Sequence, residues 1–272
     1  MKRLNSFLHF GYFTDYISPD YKMDYSNIDK SKYENLSTSE ILKIVWEVLI
    51  ESFESRLSSN SKVVIPLSGG MDSRFILGML LRYLKPEEIS TYTVGTKGTL
   101  DFDLAGKIAT LAGTQHYEIH LPDYNYTLSE LEEISNRTSH QCVLFYSHPL
   151  RPLDSRFSNH QIWTGFMGDN ILGSSFEKEP SKDINSSIER WIKREKRNSM
   201  DRPKVYLANP DFDLSSLIDM NFTHSKNISF DEQLNLQYRQ INQVSPHLHP
   251  EGFDFVTPFY DDKLINLVLS LP

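Results

Sequence analysis

A chain of 272 residues, 39% hydrophobic and 24% charged, is long enough to bury a sizeable core and has the composition of a folded globular protein rather than a disordered one. A formal net charge of −8 argues against a nucleic-acid-binding surface, which carries clustered Lys and Arg. The single cysteine, Cys142, excludes an intramolecular disulfide and a cysteine-built zinc site, and is expected as a buried thiol in a reducing cytoplasm.

The longest apolar runs, such as Phe75 to Leu81, fall far short of the roughly 20 residues that span a bilayer. Met1-Lys2-Arg3 leads into a mixed polar and aromatic segment without the apolar stretch of a signal peptide. A cytoplasmic protein with no membrane contact is therefore expected.

In chain order, residues 1–36 read as an irregular arm packed on one domain that occupies 37–272. Ser37-Thr38-Ser39-Glu40 is a capping-box start for a helix whose inward face is Ile41, Ile44, Val45, Val48, Leu49 and Phe53. Lys62 to Leu67 is a buried strand, a helix follows from about Ser73 to Leu84, and Pro86 stops it. Ile89 to Gly95 is a second strand, Asp101 to Leu111 a helix ended by Gly113, and Gln115 to Leu121 a third strand. This alternation predicts an α/β fold: a parallel sheet with helices on both faces and ligands beyond the carboxyl ends of the strands.

Residues 127–150 read as helical and then irregular, and His160 to Thr164 as a fourth strand. The charge-dense run Glu189 to Arg197 is expected as a solvated helix face. Ser245-Pro246-His247-Leu248-His249-Pro250 is a proline-bounded turn, since two histidines without a third ligand do not make a zinc site. The closing stretch predicts a proline-started amphipathic helix with Leu264, Leu267, Val268 and Leu271 on one face.

Two places carry chemistry. In Ser68-Gly69-Gly70-Met71-Asp72-Ser73 the glycines allow positive φ and close approach of a ligand to the backbone, so that N–H groups of the turn and the next helix can converge on an anion. Ser68 and Ser73 add hydroxyls, whereas Asp72 would repel a bare phosphate and makes sense as a ligand of phosphate-bound Mg²⁺. No Walker A pattern occurs. In Gly165-Phe166-Met167-Gly168-Asp169-Asn170, glycines and an acid at a strand end can bring a second carboxylate to the same ion.

Ser68 to Ser73 resembles the pyrophosphate loop of the N-type ATP pyrophosphatases, and with Pro66 and Leu67 in front it is similar to the synthetase domain of the asparagine synthetase family. Gly165, Gly168, Asp169 and Gly173 match the family's second, Mg²⁺- and pyrophosphate-binding motif, and Pro258-Phe259-Tyr260-Asp261 with Ser270-Leu271-Pro272 resembles a third. The resemblance implies an adenine nucleotide α hydrolase-like fold. It implies ATP held by Leu67, Ser68, Gly69, Gly70, Met71, Asp72, Ser73, Val94, Gly95, Gly165 and Gly168, with Asp72 and Asp169 as metal-binding, catalytic carboxylates. The implied reaction is attack of a small-molecule carboxylate on the α-phosphorus, giving an acyl-adenylate and pyrophosphate, then resolution by ammonia or an amine.

The family's acid–base Glu aligns with Phe166, a second Glu with Asn170, and an Arg before the third motif with Val256. Leu8 to Tyr12 is similar to the end of the family's glutaminase domain, but Lys2 stands where that domain needs its cysteine, and the chain stops before a phosphate-contacting Lys. The expectations are an amide-forming ligase supplied with ammonia by a separate glutaminase subunit, or a relative that binds nucleotide or a partner without making an amide.

Overall fold

The computed structural model describes residues 2–58, 62–141, 147–173, 176–199, 207–219 and 225–272; Cys142, expected as a buried thiol, lies outside them. Helix α1 (Lys2–Phe10) opens the chain. Helix α2 (Thr38–Glu54) starts at the anticipated capping box: the Ser37 hydroxyl accepts the Glu40 N–H, and the Glu40 carboxylate accepts the Ser37 N–H at 2.8 Å. Strand β1 (Lys62–Pro66), helix α3 (Met71–Leu80), β2 (Ile89–Gly95), α4 (Leu100–Ala112) and β3 (Gln115–His120) follow in the expected alternation. Then come α5 (Leu128–Arg137), α6 (Leu150–Phe157), β4 (His160–Trp163), α7 (Gly168–Ile171) and α8 (Ile184–Ser199). Helix α9 (Phe230–Leu234) runs through a π-helix (Asn235–Val244) into α10 (Ser245–Leu248), and β5 (Asp254–Val256) and α11 (Asp262–Leu269) close the chain.

The five strands are all parallel, in the order β3-β2-β1-β4-β5. Both faces of β1 are covered because its side chains alternate. Val63 and Ile65 pack with Phe53 of α2, Ile76 of α3, Ala105 of α4 and Leu264 of α11, while Val64 packs with Tyr92, Ile162 and the Leu153–Phe157 face of α6. The fold is thus an α/β parallel sheet with helices on both faces. The chain reverses its direction of growth at β1, whose neighbours are β2 on one side and β4 on the other, so the loops leaving β1 and β4 face each other.

Three local expectations are corrected. The arm begins as helix α1, whose buried side includes Asn5, Ser6 and His9 and so shows no apolar period; it is held by Phe10, set edge-on to Trp191 of α8 at 5.1 Å, and by the fully buried Tyr12. Helix α3 stops at Leu80, before the turn ahead of Pro86. The last helix starts after Asp261, whose carboxylate accepts the Lys263 and Leu264 N–H groups at 3.0 and 3.2 Å, and strand β5 precedes it. Three residues are too few for a strand's alternation to be visible in sequence.

Helix α8 carries the mixed-charge run, yet its other face buries Ile188, Trp191 and Glu195 against α1 and the π-helix. No helix among the described residues is long and apolar enough to cross a membrane.

Ile65, at 1% exposure in the central strand, sets the scale of core packing. Ile65→Ala is expected to lower unfolding free energy by about 2–5 kcal/mol in urea denaturation, whereas Leu42→Ala on the exposed side of α2 should change it by less than about 0.5 kcal/mol.

Candidate nucleotide and metal site

Strand β1 hands the chain to the loop through Leu67, which is buried; its N–H donates to the Tyr92 carbonyl at 2.8 Å and its carbonyl accepts the Thr93 hydroxyl at 2.6 Å. The next turn is stitched by two serines. Ser73 Oγ accepts the Ser68 N–H at 3.1 Å and lies 3.1 Å from Ser68 Oγ, which accepts the Gly70 N–H at 3.1 Å. These hydroxyls shape the loop as well as standing at its surface.

Gly70 is the N-cap of α3 with φ −69° and ψ 161°, and Gly69 is likewise absent from the positive-φ glycines, so the expected need for positive φ is corrected. What these positions need is space. A Cβ on Gly69 would lie 2.8 Å from Asp101 Oδ1 and 3.3 Å from its Cα, and one on Gly70 would lie 3.2 Å from Ser68 Oγ. The N-cap Gly70 has no side chain to cap α3, so the first-turn N–H groups of Met71, Asp72 and Ser73 have no intrahelical partner.

The second turn meets this one directly. A Cβ on Gly165 would fall 2.5 Å from Asp72 Cβ, and one on Gly168 would fall 3.3 Å from Asp72 Cγ and 3.2 Å from the Phe259 ring. Between them Met167 takes a left-handed φ of +73° and caps α7, which brings the Asp169 N–H to the Asp72 carboxylate as a donor. Burial first, and the negative charge of Asp169 second, push the Asp72 pKa above the ordinary carboxylate range; the hydrogen bond opposes them in part.

An acid whose folded pKa is raised costs stability when it ionises, so stability falls as pH rises from the ordinary carboxylate range through the raised value. A divalent cation between the two acids removes that cost. Among the described residues no group of three or more His, Cys, Asp or Glu could hold a metal alone, so two carboxylates fit an ion that completes its shell with phosphate oxygens and water.

The anticipated residues thus divide. Ser68 to Ser73, Gly165, Gly168 and Asp169 converge, with Asp169 exposed and Asp72 half-buried. Leu67 turns its side chain into the core, while Val94 and Gly95 are half-buried one strand away, Gly95 being held close to the Phe102 ring.

Sequence reading missed the surroundings of Phe166. This ring is 4% exposed and packs on Tyr21 at 5.1 Å, His249 at 5.0 Å and Tyr260 at 6.5 Å, with Thr164 hydrogen-bonded to His249 behind it. These residues come from segments read as an arm, a turn and a helix start, and only their adjacency to Phe166 in space marks them.

Coupling of the two acids can be read directly. In carbon-detected NMR the half-buried Asp72 carboxyl is expected to titrate above the ordinary carboxylate range, with Asp169→Asn lowering its pKa only in part and Mg²⁺ lowering it further. A titration that neither change moves would show that the acids do not share an ion.

Residues 45–143 match the family model for asparagine synthase. The chain is 29% identical over 158 residues to asparagine synthetase [glutamine-hydrolyzing] 2 of Oryza sativa subsp. japonica, covering 50% of this chain and 26% of the relative. A probable asparagine synthetase of Acanthamoeba polyphaga mimivirus is 30% identical over 118 residues, 43% of this chain and 20% of its own length. The human asparagine synthetase is 28% identical over 101 residues, 35% and 18% of the two chains. The chain therefore spans about a quarter or less of the length of these relatives. An NH3-dependent NAD synthetase from Campylobacter jejuni superposes with a TM-score of 0.30 at 16% identity, covering 67% of this chain and 90% of that one. From within α2 to the segment after α5, and so through the Ser68–Ser73 loop, the chain is similar to the asparagine synthase family.

Proposed function

We propose that the protein is an ATP-dependent carbon–nitrogen ligase of the asparagine synthetase type, using Mg²⁺. The observation that supports this reading is the seating of Asp72 against Gly165 and Gly168, which sets the carboxylates of Asp72 and Asp169 beside the Ser68–Ser73 turn at the β1/β4 switch point. The Ser68–Gly70 turn and the first N–H groups of α3 hold the phosphates. Asp72 and Asp169 hold the Mg²⁺, which when bound neutralises charge on the pyrophosphate leaving group. Leu67, Val94 and Gly95 border the adenine. A substrate carboxylate attacks the α-phosphorus, breaking the bond to pyrophosphate and giving an acyl-adenylate that ammonia or an amine resolves to an amide. Positioning and charge neutralisation supply the acceleration.

The nitrogen source in this reading is ammonia from a separate glutaminase subunit, or an amine. The relatives' names say that they hydrolyse glutamine; nothing at Asp72 and Asp169 is built for that step. The reaction needs neither nucleic acid nor membrane and suits the cytoplasm.

Phe166 favours a second reading for the last step. An aromatic side chain closed in by Tyr21, His249 and Tyr260 can neither take nor give a proton during attack by ammonia. Loss of a general acid–base group costs roughly 10²–10⁴ in rate. The protein then binds ATP and makes asparagine from aspartate and ammonia slowly or not at all, as a relative that binds nucleotide or a partner without making an amide.

Isothermal titration is expected to show ATP binding that depends on Mg²⁺ and is weakened about 10–100-fold or more by Asp72→Ala, the scale on which disturbing a metal's ligand set acts. Equal affinities for wild type and variant would remove the metal role. Gly70→Val should abolish binding with an unchanged circular dichroism spectrum, since its side chain crowds Ser68 Oγ at the phosphate turn.

In an assay that follows pyrophosphate and asparagine together, aspartate-dependent pyrophosphate release should be weak and asparagine weaker still. Brisk, equimolar release of both would show that Phe166 does not limit the amide step.

A further inference from the structure

The pair His247 and His249 has no place in the reading above, yet His249 lies at the joint of three segments. Its Nδ1 is 2.8 Å from the Tyr21 hydroxyl and its Nε2 is 2.9 Å from the Thr164 hydroxyl. Both ring nitrogens are thus taken, which removes His249 from any metal site. The ring is wedged edge-on to Phe166 at 5.0 Å and lies 4.6 Å from the Phe255 ring of β5.

Thr164 is the residue between β4 and Gly165, and its own N–H donates to the Val256 carbonyl at 3.0 Å. The Thr257 hydroxyl hydrogen-bonds Tyr21 in turn. The ends of β4 and β5 and the segment around Tyr21 are therefore joined by one chain of hydrogen bonds. Burial holds the His249 pKa down at about 3, so the ring stays neutral, with one donor and one acceptor nitrogen, and either tautomer closes the chain in one direction.

We infer that Tyr21, His249 and Thr164 act as a positioning relay that fixes the β4 turn, keeping Gly165 and Asp169 against Asp72 so that the two carboxylates share one cation. The geometry leaves little tolerance. Gly165 already approaches Asp72 to a distance at which no Cβ fits, and a lateral shift of this turn by a fraction of an ångström parts the carboxylates or drives backbone into side chain. Covalent continuity makes Thr164 the handle of the turn. His249 is a positioning residue and not a catalytic one, because its contacts are with Tyr21, Thr164 and the aromatic rings.

This inference rests on the nucleotide reading, and the test separates the two. ATP affinity is measured with Mg²⁺ and with EDTA for wild type, Thr164→Val, His249→Phe and the double variant, alongside thermal melts. His249→Phe keeps the ring packing and loses both hydrogen bonds; Thr164→Val loses one hydroxyl. Each single change is expected to weaken Mg²⁺-dependent binding about 10-fold, within the 10–100-fold range of changes behind metal ligands, while binding in EDTA is unchanged. The double variant should be no worse than either single one, because both break the same chain. His249→Gln, whose amide retains a donor and an acceptor, should recover most of the loss.

Should His249→Phe melt below the assay temperature, Tyr21→Phe, which removes one hydroxyl from a half-buried ring, takes its place in the cycle. Equal weakening with and without Mg²⁺, or a double variant equal to the product of the singles, overturns the relay. Failure of wild type to bind ATP in a Mg²⁺-dependent way overturns the nucleotide reading itself, and the relay falls with it; that result is seen in the wild-type arm alone.

Discussion

Two backbone positions without side chains, Gly165 and Gly168, press against Asp72, and the site depends on that contact. It seats a carboxylate from the start of α3 under the turn that follows β4, although nearly a hundred residues separate them in the chain. Parallel pairing of β1 with β4 makes the contact possible, since it sends both loops out of the same edge of the sheet. Any side chain at Gly165 would part the two turns. A second acid brought beside Asp72 in a partly buried place is unfavourable by itself, and the raised pKa of Asp72 expresses that cost.

Around this contact the molecule is built in two parts. The sheet and its covering helices form one core, with Val63 and Ile65 facing one layer and Val64 the other. A second cluster joins α1, α8, α9 and the π-helix around Phe10, Trp191, Leu234 and Tyr238, and includes the buried Glu195, which meets Tyr12 and Arg239. The segment between Thr14 and Ile28 connects them. Met23, Tyr25 and Ile28 enter the sheet's core, while Tyr21 stops at the aromatic ring around Phe166. The aromatic group of Tyr21, Phe166, His249 and Tyr260 lies behind the turn that follows β4.

Several features could be read before the structure was known because they are local. The Ser37–Glu40 capping box, strand β2 from Ile89 to Gly95, and the left-handed Gly113 at the end of α4 each depend on a few neighbouring residues. Lys62 to Ser73 belongs with them, as a strand, a glycine turn and a helix start. Of the two reasons expected for its glycines, positive φ does not hold, however. Gly69 and Gly70 are not among the positive-φ glycines, and their small size is needed by Asp101, which approaches from α4, and by Ser68 of the same turn.

What the sequence by itself determined is therefore the periodicity of the sheet and helices and the glycine turn between β1 and α3, with one acid in each of the two loops that meet. These follow from side-chain alternation, capping and glycine placement within about ten residues. Only the tertiary structure decided that α1 is a helix, that Asp254 to Val256 is a fifth strand, and that Phe166 lies among Tyr21, His249 and Tyr260. It also decided that His249 is locked between Thr164 and Tyr21. The reason is the same in each case. Short or polar-faced segments gain their stability from partners distant in the chain, and a hydrogen bond across 228 residues, such as that from Tyr21 to His249, leaves no period and no spacing for a sequence to display.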